Sequence, residues 1–130
     1  MPIRIVRLGT HRMPGEGIRI GTVRRPPRGV PKSEFASGNW YDVWYPNLAP
    51  SVETMKLALT AETEAQWHTF EKAFRREMKQ PEASRSIELL AALSKDASFS
   101  VGCYCEDESR CHRAILRQLL MEAGASIVET

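Results

Sequence analysis

The sequence predicts an α/β fold in a single domain over residues 1–130, with a small, mostly parallel sheet flanked by helices on both faces. Strand-like segments with period-two alternation open the chain, and segments with apolar residues at helical spacing fill its middle. The last third then runs strand, helix, strand, which is the order of a parallel crossover unit. A chain of this length buries roughly two-thirds of its unfolded surface, enough for one core.

Three strands are predicted in the first third of the chain. Residues 3–8 alternate charged and apolar side chains, and residues 18–23 form a second strand after a glycine-rich turn. Residues 24–33 contain three prolines and four basic residues, so they form an extended basic loop. Residues 40–44 are aromatic and β-prone and predict the third strand, which ends before residues 47–51.

Helices are predicted in the middle. Thr60 is a candidate N-cap, because Glu62 and Glu64 follow it where carboxylates favour the helix dipole. A buried stripe then runs to about Lys79 through four large apolar residues: Trp67, Phe70, Phe74 and Met78. Pro81 suits the first turn of the next helix, whose predicted inner face is Ile87, Leu90, Ala91 and Leu93.

The last third predicts a strand at residues 98–103 and a polar turn at residues 106–110. Ser109 or Cys111 opens a helix to about Ala123, and Gly124 closes it in the left-handed position. Residues 126–128 are predicted as a final short strand.

Composition limits the class of protein. No apolar run approaches the roughly 20 residues that cross a bilayer, and the N-terminal segment lacks the apolar stretch of a signal peptide, so no membrane partner is expected. Three cysteines within nine positions form an odd, closely spaced set, unlike a secreted disulfide framework. We therefore expect reduced thiols and a cytoplasmic location.

The charge is distributed unevenly. Residues 1–32 carry eight basic residues and one glutamate, a balance of +7, although the net charge of the whole chain is only +2. This bias favours an anionic partner such as a phosphate-bearing small molecule or a nucleic acid. Solvated surface arginines would give the same composition.

The functional centre is predicted between residues 103 and 113. Ligands of parallel sheets bind beyond the carboxyl ends of the strands, near helix N-termini. Cys103 ends its predicted strand, and Cys111, His112 and Arg113 stand in the first turn of the following helix. Unpaired N–H groups and the helix dipole favour anions there and lower thiol pKa values.

Several interpretations of this segment stay open. Three cysteines and a histidine are soft metal ligands, but adjacent residues on a helix point about 100° apart and the spacing lacks a paired C-x2-C, so we expect no zinc and no cofactor. A nucleophilic thiolate with His112 as base is chemically coherent, although the spacing to Arg113 does not match cysteine-dependent phosphatases. An anion site at His112 and Arg113 and simple packing of the cysteines are the others.

The combined pattern resembles the family known as domain of unknown function 488, in its short, single-domain branch. The resemblance spans roughly residues 1–122. The motifs that carry it are Arg28-Gly29-Val30-Pro31-Lys32, residues 41–51, Trp67 with Phe70 and Phe74, Glu77-Met78 before Pro81, Cys103-Tyr104-Cys105-Glu106 and Cys111-His112-Arg113. It implies a compact α/β fold without a settled substrate.

The resemblance also points to residues outside the cysteine segment. Arg28 and Lys32 lie in the basic loop, Tyr41 and Asp42 at a strand end, and Ser51 where it either binds ligand or caps a short helix. Asp42 is a candidate for orienting His112 or an arginine from across the site, and an exposed Tyr41 would suit stacking on a base. Aromatic residues in such a segment also serve as core.

These observations lead to one main hypothesis and one alternative. In the first, Arg28, Lys32 and Arg113 hold the phosphate of a nucleotide or nucleic acid, with Cys111, Tyr41 and Ser51 also contacting the ligand. The candidate catalytic residues are His112, as acid or base, with Asp42 and Cys103. The alternative is a non-catalytic module that grips nucleic acid with the basic loop. The sequence alone sets neither the oligomeric state nor whether the domain is an enzyme.

Overall fold

The protein forms a four-stranded, all-parallel sheet in a computed structural model that describes residues 2–105 and 110–128. The strands are β1 (Ile3–Arg7), β2 (Ile18–Gly21), β3 (Val43–Trp44) and β4 (Phe99–Cys103), in the spatial order β1-β4-β2-β3. The last strand in sequence therefore lies between the first two, with Phe99 in register with both Ile3 and Ile18.

Four α-helices accompany the sheet: α1 (Val52–Thr60), α2 (Glu64–Met78), α3 (Pro81–Leu93) and α4 (His112–Glu122). Two short 3-10 helices cover Lys32–Glu34 and Pro46–Leu48. The predicted small α/β fold with a parallel sheet is confirmed. No helix of the described residues has the length and apolar character needed to cross a bilayer.

The main core lies between one face of the sheet and the helices. Ile3, Phe99 and Val101 supply the sheet side of the core. The helix side comes from the buried stripe predicted on α2 (Trp67, Phe70, Phe74 and Met78) and from Ile87, Leu90, Ile115, Leu116 and Leu120. Leu93, predicted on the inner face of α3, is instead 46% exposed because it lies at the last residue of the helix.

The opposite face of the sheet carries a buried ion pair. Arg19 on β2 is fully buried, and its guanidinium donates to Glu16 at 2.8 and 3.1 Å. Ser100 on β4 donates to the same carboxylate at 2.7 Å. Tyr41 packs on Gly21, where a Cβ atom would come within 2.4 Å of its ring. The basic residues counted in the first quarter of the chain are thus not all on the surface.

Several predicted boundaries need correction. Thr60 ends α1, and the N-cap of α2 is Thr63, which forms a capping box with Gln66. The third strand comprises only Val43 and Trp44, because residues 40–42 form loop and ion-pair contacts. The predicted final strand is a single parallel bridge between Ile3 and Ile127. In the predicted polar turn, residues 106–109 lie outside the described residues.

Candidate functional site

The carboxyl ends of the parallel strands meet at one edge of the sheet. Arg7, Gly21 and Cys103 end three neighbouring strands there, with Arg7 in register with Cys103 and Gly21 in register with the preceding Gly102. The loops that follow β1, β2 and β4 therefore converge at this edge. Open parallel sheets bind ligands in this position.

Two adjoining cavities lie along this edge, and together we call them the carboxyl-edge groove. They share Arg25, Arg28 and Tyr104. The first cavity, of about 560 Å³, is also lined by Arg7, Leu8, Gly9, Thr10, Pro26, Pro27 and Trp40. The second, of about 450 Å³, is also lined by Val23, Arg24, Val52, Met55, Lys56, Leu59, Cys103, Cys105 and His112.

The groove is cationic. Five basic side chains line it, and no carboxylate does so among the residues described: the cations are Arg7, Arg24, Arg25, Arg28 and Lys56. Like charges repel one another unless an anion or a solvent shell lies between them. A lining of this kind therefore favours a ligand with negative charge.

Two aromatic rings form one wall of the groove. Trp40 and Tyr104 meet edge to face with ring centroids 6.0 Å apart. Gly9 permits this packing, because its φ of +89° lies in the left-handed region and a Cβ atom there would come within 2.9 Å of the Trp40 ring. The Tyr104 hydroxyl donates to the Arg25 carbonyl at 2.7 Å, which ties the β2 loop to β4.

Beside the second cavity lies a group that we call the sulfur–imidazole cluster: Cys103, Cys111 and His112. All three residues are buried, and one ligand atom of each lies within 4.8 Å of the others. Cys103 is brought in by the end of β4, while Cys111 is the N-cap of α4 and His112 its first residue. Strand end and helix start thus position the cluster.

His112 is held in one tautomer. Its Nε2 lies 2.7 Å from the Thr22 carbonyl oxygen, which only accepts, so Nε2 carries the proton. Nδ1 therefore presents a lone pair, and it lies 3.8 Å from Cys111 Sγ. Burial lowers the pKa of His112 to about 4, with Arg113 and Arg24 acting in the same direction and the Thr22 carbonyl opposing them. The imidazole is neutral at neutral pH.

The sulfur atoms of Cys103 and Cys111 are in contact, but their Cα atoms are farther apart than in an ordinary disulfide. The Cα atoms of Cys103 and Cys111 are 7.9 Å apart. Disulfides usually span Cα separations of about 4.4–6.8 Å, and bridging beyond about 7 Å requires backbone movement. We therefore describe the pair as two thiols in contact.

The geometric premise against a metal at this place does not apply. It assumed that Cys111 and His112 are consecutive helical residues with side chains about 100° apart. Cys111 instead has extended backbone, with φ −135° and ψ 149°, because it is the N-cap. Both side chains can consequently face Cys103.

Arg113 is buried, with only 4% of its surface exposed. Its Nη2 donates to the Cys105 carbonyl at 2.9 Å. The side chain thus fixes the backbone that follows β4 and is not a surface charge. Arg113 is not among the described residues that line the groove, so its predicted phosphate contact stays a prediction.

The contacts of Asp42 are with Arg12 and Arg19. Asp42 accepts from the Arg12 guanidinium at 2.8 and 3.2 Å and from the Arg19 backbone N–H at 2.8 Å. Burial alone would raise the pKa of Asp42, but these bonds lower it below its usual value. Asp42 lines a different cavity, of about 460 Å³, together with Lys32 and Tyr41. These contacts are with arginine residues, and a role of Asp42 in orienting His112 stays a prediction.

Tyr41 and Ser51 have structural contacts. Tyr41 is only 3% exposed and packs in a smaller cluster of buried residues with Leu8 and Val23, so it is not an exposed stacking platform. Ser51 caps α1 by accepting from Thr54 N–H at 3.2 Å and also donates to Glu77 at 2.5 Å. It lines a fourth cavity, of about 310 Å³, together with Glu77.

Sequence reasoning missed part of the groove. Trp40 and Tyr104 lie 33 and 97 residues beyond the end of β1, and nothing in the local sequence indicates that their loops return to it. Lys56 lies in α1, and the sequence does not indicate that it lines a cavity. Cys105 was noticed only as a member of the cysteine set, yet it is the exposed cysteine of the three and lines the second cavity.

Comparison with protein families gives a match over most of the chain. A family model, DUF488-N3a, described as the active DUF488-N3 subclade, matches residues 3–124. No curated protein and no solved structure matches the chain.

Proposed function

The chain belongs to the active DUF488-N3 subclade, and from that premise we propose that it binds a phosphate-bearing ligand, a nucleotide or a nucleic acid, in the carboxyl-edge groove. The observation that carries the proposal is the charge of the groove. Five cations line it without a described carboxylate, and three of them are arginines of the β2 loop. Guanidinium groups match phosphate oxygens in charge and in planar geometry.

The aromatic wall narrows the ligand class. Trp40 and Tyr104 stand beside Arg7, Arg25 and Arg28 in the first cavity. Base rings stack on aromatic side chains with roughly 1–3 kcal/mol per base, and adjacent cations hold the backbone phosphate. A ligand with both a phosphate and a flat ring uses both features, whereas inorganic phosphate uses only one.

The candidate reacting group of the second cavity is a thiol. Cys105 is exposed there, in a cavity that Arg24, Arg25 and Lys56 also line, and positive surroundings favour the nucleophilic thiolate. The acid–base role expected of His112 stays a prediction. Its Nε2–H donates to the Thr22 carbonyl, its Nδ1 faces Cys111, and its low pKa keeps the ring neutral at neutral pH.

The alternative, a module that grips nucleic acid with the whole basic loop, has less support. Arg24 donates to the carbonyl oxygens of Pro50 and Ala49, both at 3.0 Å, so its guanidinium is partly committed. Lys32 lies with Asp42 on a separate cavity. The loop therefore does not present one continuous basic surface.

The proposal is tested by fluorescence titration of the protein with a labelled mononucleotide and a labelled single-stranded oligonucleotide. Arg25→Gln and Arg28→Gln should each weaken binding about tenfold, equivalent to about 1.4 kcal/mol. Arg85→Gln, an exposed arginine on α3 outside the groove, is the matched control and should bind as the wild type does. Bound ligand should also slow alkylation of Cys105 by iodoacetamide.

Equal affinity of the two groove variants and Arg85→Gln would contradict the proposal. Binding of the oligonucleotide with no binding of the mononucleotide, and no protection of Cys105, would favour the non-catalytic module instead.

A further inference from the structure

We propose that the sulfur–imidazole cluster is a zinc site, in which Cys103 Sγ, Cys111 Sγ and His112 Nδ1 coordinate one Zn²⁺ ion. The inference is independent of the groove ligand, because it concerns buried ligand atoms and is read out by metal content. Thiolate sulfur and imidazole nitrogen together are the donor set that zinc prefers in proteins.

The distances suit a small tetrahedral ion. The three ligand atoms lie within 4.8 Å of one another, and Nδ1 is 3.8 Å from Cys111 Sγ. Bonds of about 2.3 Å to sulfur and 2.1 Å to nitrogen place tetrahedral ligands roughly 3.5–4 Å apart. The two sulfur atoms are closer than this, but the 7.9 Å between their Cα atoms leaves room for side-chain rotation to separate them.

The groups that hold the His112 ring in place are also typical of a metal site. A metal-bound histidine usually donates its other ring N–H to a carbonyl or carboxylate, which fixes its orientation. His112 does so through Nε2 to the Thr22 carbonyl at 2.7 Å, and its ring packs edge to face on Phe74. Because Nε2 donates to Thr22, Nδ1 is left with the lone pair that binds a metal ion.

Three protein ligands leave one tetrahedral position for water or substrate. Cys103 and His112 both line the second cavity, so this position opens toward the cations of the groove. Elsewhere the cluster is enclosed, since its three residues are at most 4% exposed. A closed structural zinc would need a fourth buried ligand, and the described cluster has three.

The test is metal analysis of the full chain purified anaerobically without added reductant. We expect about one zinc per chain by elemental analysis and by native mass spectrometry. Removal of the metal by a chelator, followed by addition of Co²⁺, should give the thiolate-to-cobalt charge-transfer absorption at one equivalent. Zn²⁺ should displace the cobalt and raise the melting temperature of the metal-free protein.

Variants identify the ligands. Cys103→Ser and Cys111→Ser should lose the charge-transfer absorption and the bound zinc, whereas Cys105→Ser, the matched exposed cysteine, should keep both. If the buried variants do not fold, the wild type and Cys105→Ser still decide. Failure of both to bind cobalt in the reduced state, or a count of one reactive thiol per denatured chain where three are expected, would overturn the proposal.

Discussion

At the scale of single residues, the buried pair of Arg19 and Glu16 changes the meaning of the basic N-terminal quarter. Arg19 has no exposed surface and donates to Glu16, to the Thr10 carbonyl at 2.9 Å and to the Asn39 carbonyl at 2.8 Å. It therefore holds two loops against the sheet. Together with the pair of Arg12 and Asp42, it removes two of the counted cations from any ligand site.

The pair predicts a loss of stability in acid. Burial alone would raise the pKa of Glu16, but the bonds from Arg19, Ser100 and Met13 lower it from 4.5 to about 2. A carboxyl with a depressed pKa in the folded state stabilises above its unfolded pKa and loses that contribution as the pH falls. The folded protein should therefore lose about 3 kcal/mol between about pH 4.5 and pH 2 from this group.

Glu16→Gln tests the contribution by urea unfolding at pH 7 and pH 3. The variant leaves Arg19 buried without its counter-charge, so we expect a loss of about 3–5 kcal/mol at pH 7. The difference from the wild type should narrow at pH 3. Glu88→Gln, an exposed glutamate on α3, is the control and should change the free energy of unfolding little at either pH. A wild-type-like Glu16→Gln would show that the pair is dispensable.

At the scale of elements, the start of α1 bears on the two alternative roles of Ser51. Ser51 was predicted either to contact ligand or to cap the helix, and the cap is present. Glu77 of α2 lies against this same N-terminus, accepting from the Ser51 N–H at 3.0 Å and from the Thr54 hydroxyl at 2.8 Å. A carboxylate already occupies the position that a phosphate would take.

Ser51→Ala is therefore expected to affect stability and not binding. Loss of the cap and of the bond to Glu77 should lower the free energy of unfolding by about 1–2 kcal/mol in thermal or urea melts. Ser33→Ala, an exposed serine in the first 3-10 helix, is the control. Oligonucleotide affinity should stay unchanged in both. A tenfold weaker affinity with wild-type stability would return Ser51 to the ligand site.

Elements with local signals were predicted well. The α2 stripe, Pro81 at the start of α3 and Gly124 after α4 all follow from short-range periodicity or cap chemistry. The outermost pairings of the sheet were predicted less well. The two-residue β3 and the bridge at Ile127 exist only through tertiary pairing. The same limit applies to Asp42, whose partner Arg12 lies 30 residues away in the chain.

At the scale of the whole molecule, the position of β4 between β1 and β2 decides where chemistry can occur. Periodicity predicts a parallel sheet but not its strand order, since the hydrophobic pattern of a strand does not identify its neighbours. The central place of β4 brings Cys103 beside the loops after β1 and β2, and α4 then returns Cys111 and His112 to the same edge. The sequence thus indicated the edge, whereas tertiary contacts determine which of the predicted residues meet there.

The concentration of charge on this edge leads to the last prediction, a salt dependence with a defined origin. Each phosphate neutralised by the protein releases counterions, so log affinity for a single strand falls against log salt with a slope of about −0.7 per contact.

If Arg28 makes one such contact, Arg28→Gln should flatten the slope by about 0.7 and weaken binding most at low salt. Arg85→Gln, on α3 outside the groove, should retain the wild-type slope. Affinities measured by fluorescence anisotropy from low to physiological salt provide the comparison. Parallel lines for the wild type and Arg28→Gln would mean that Arg28 contacts no phosphate of the bound strand.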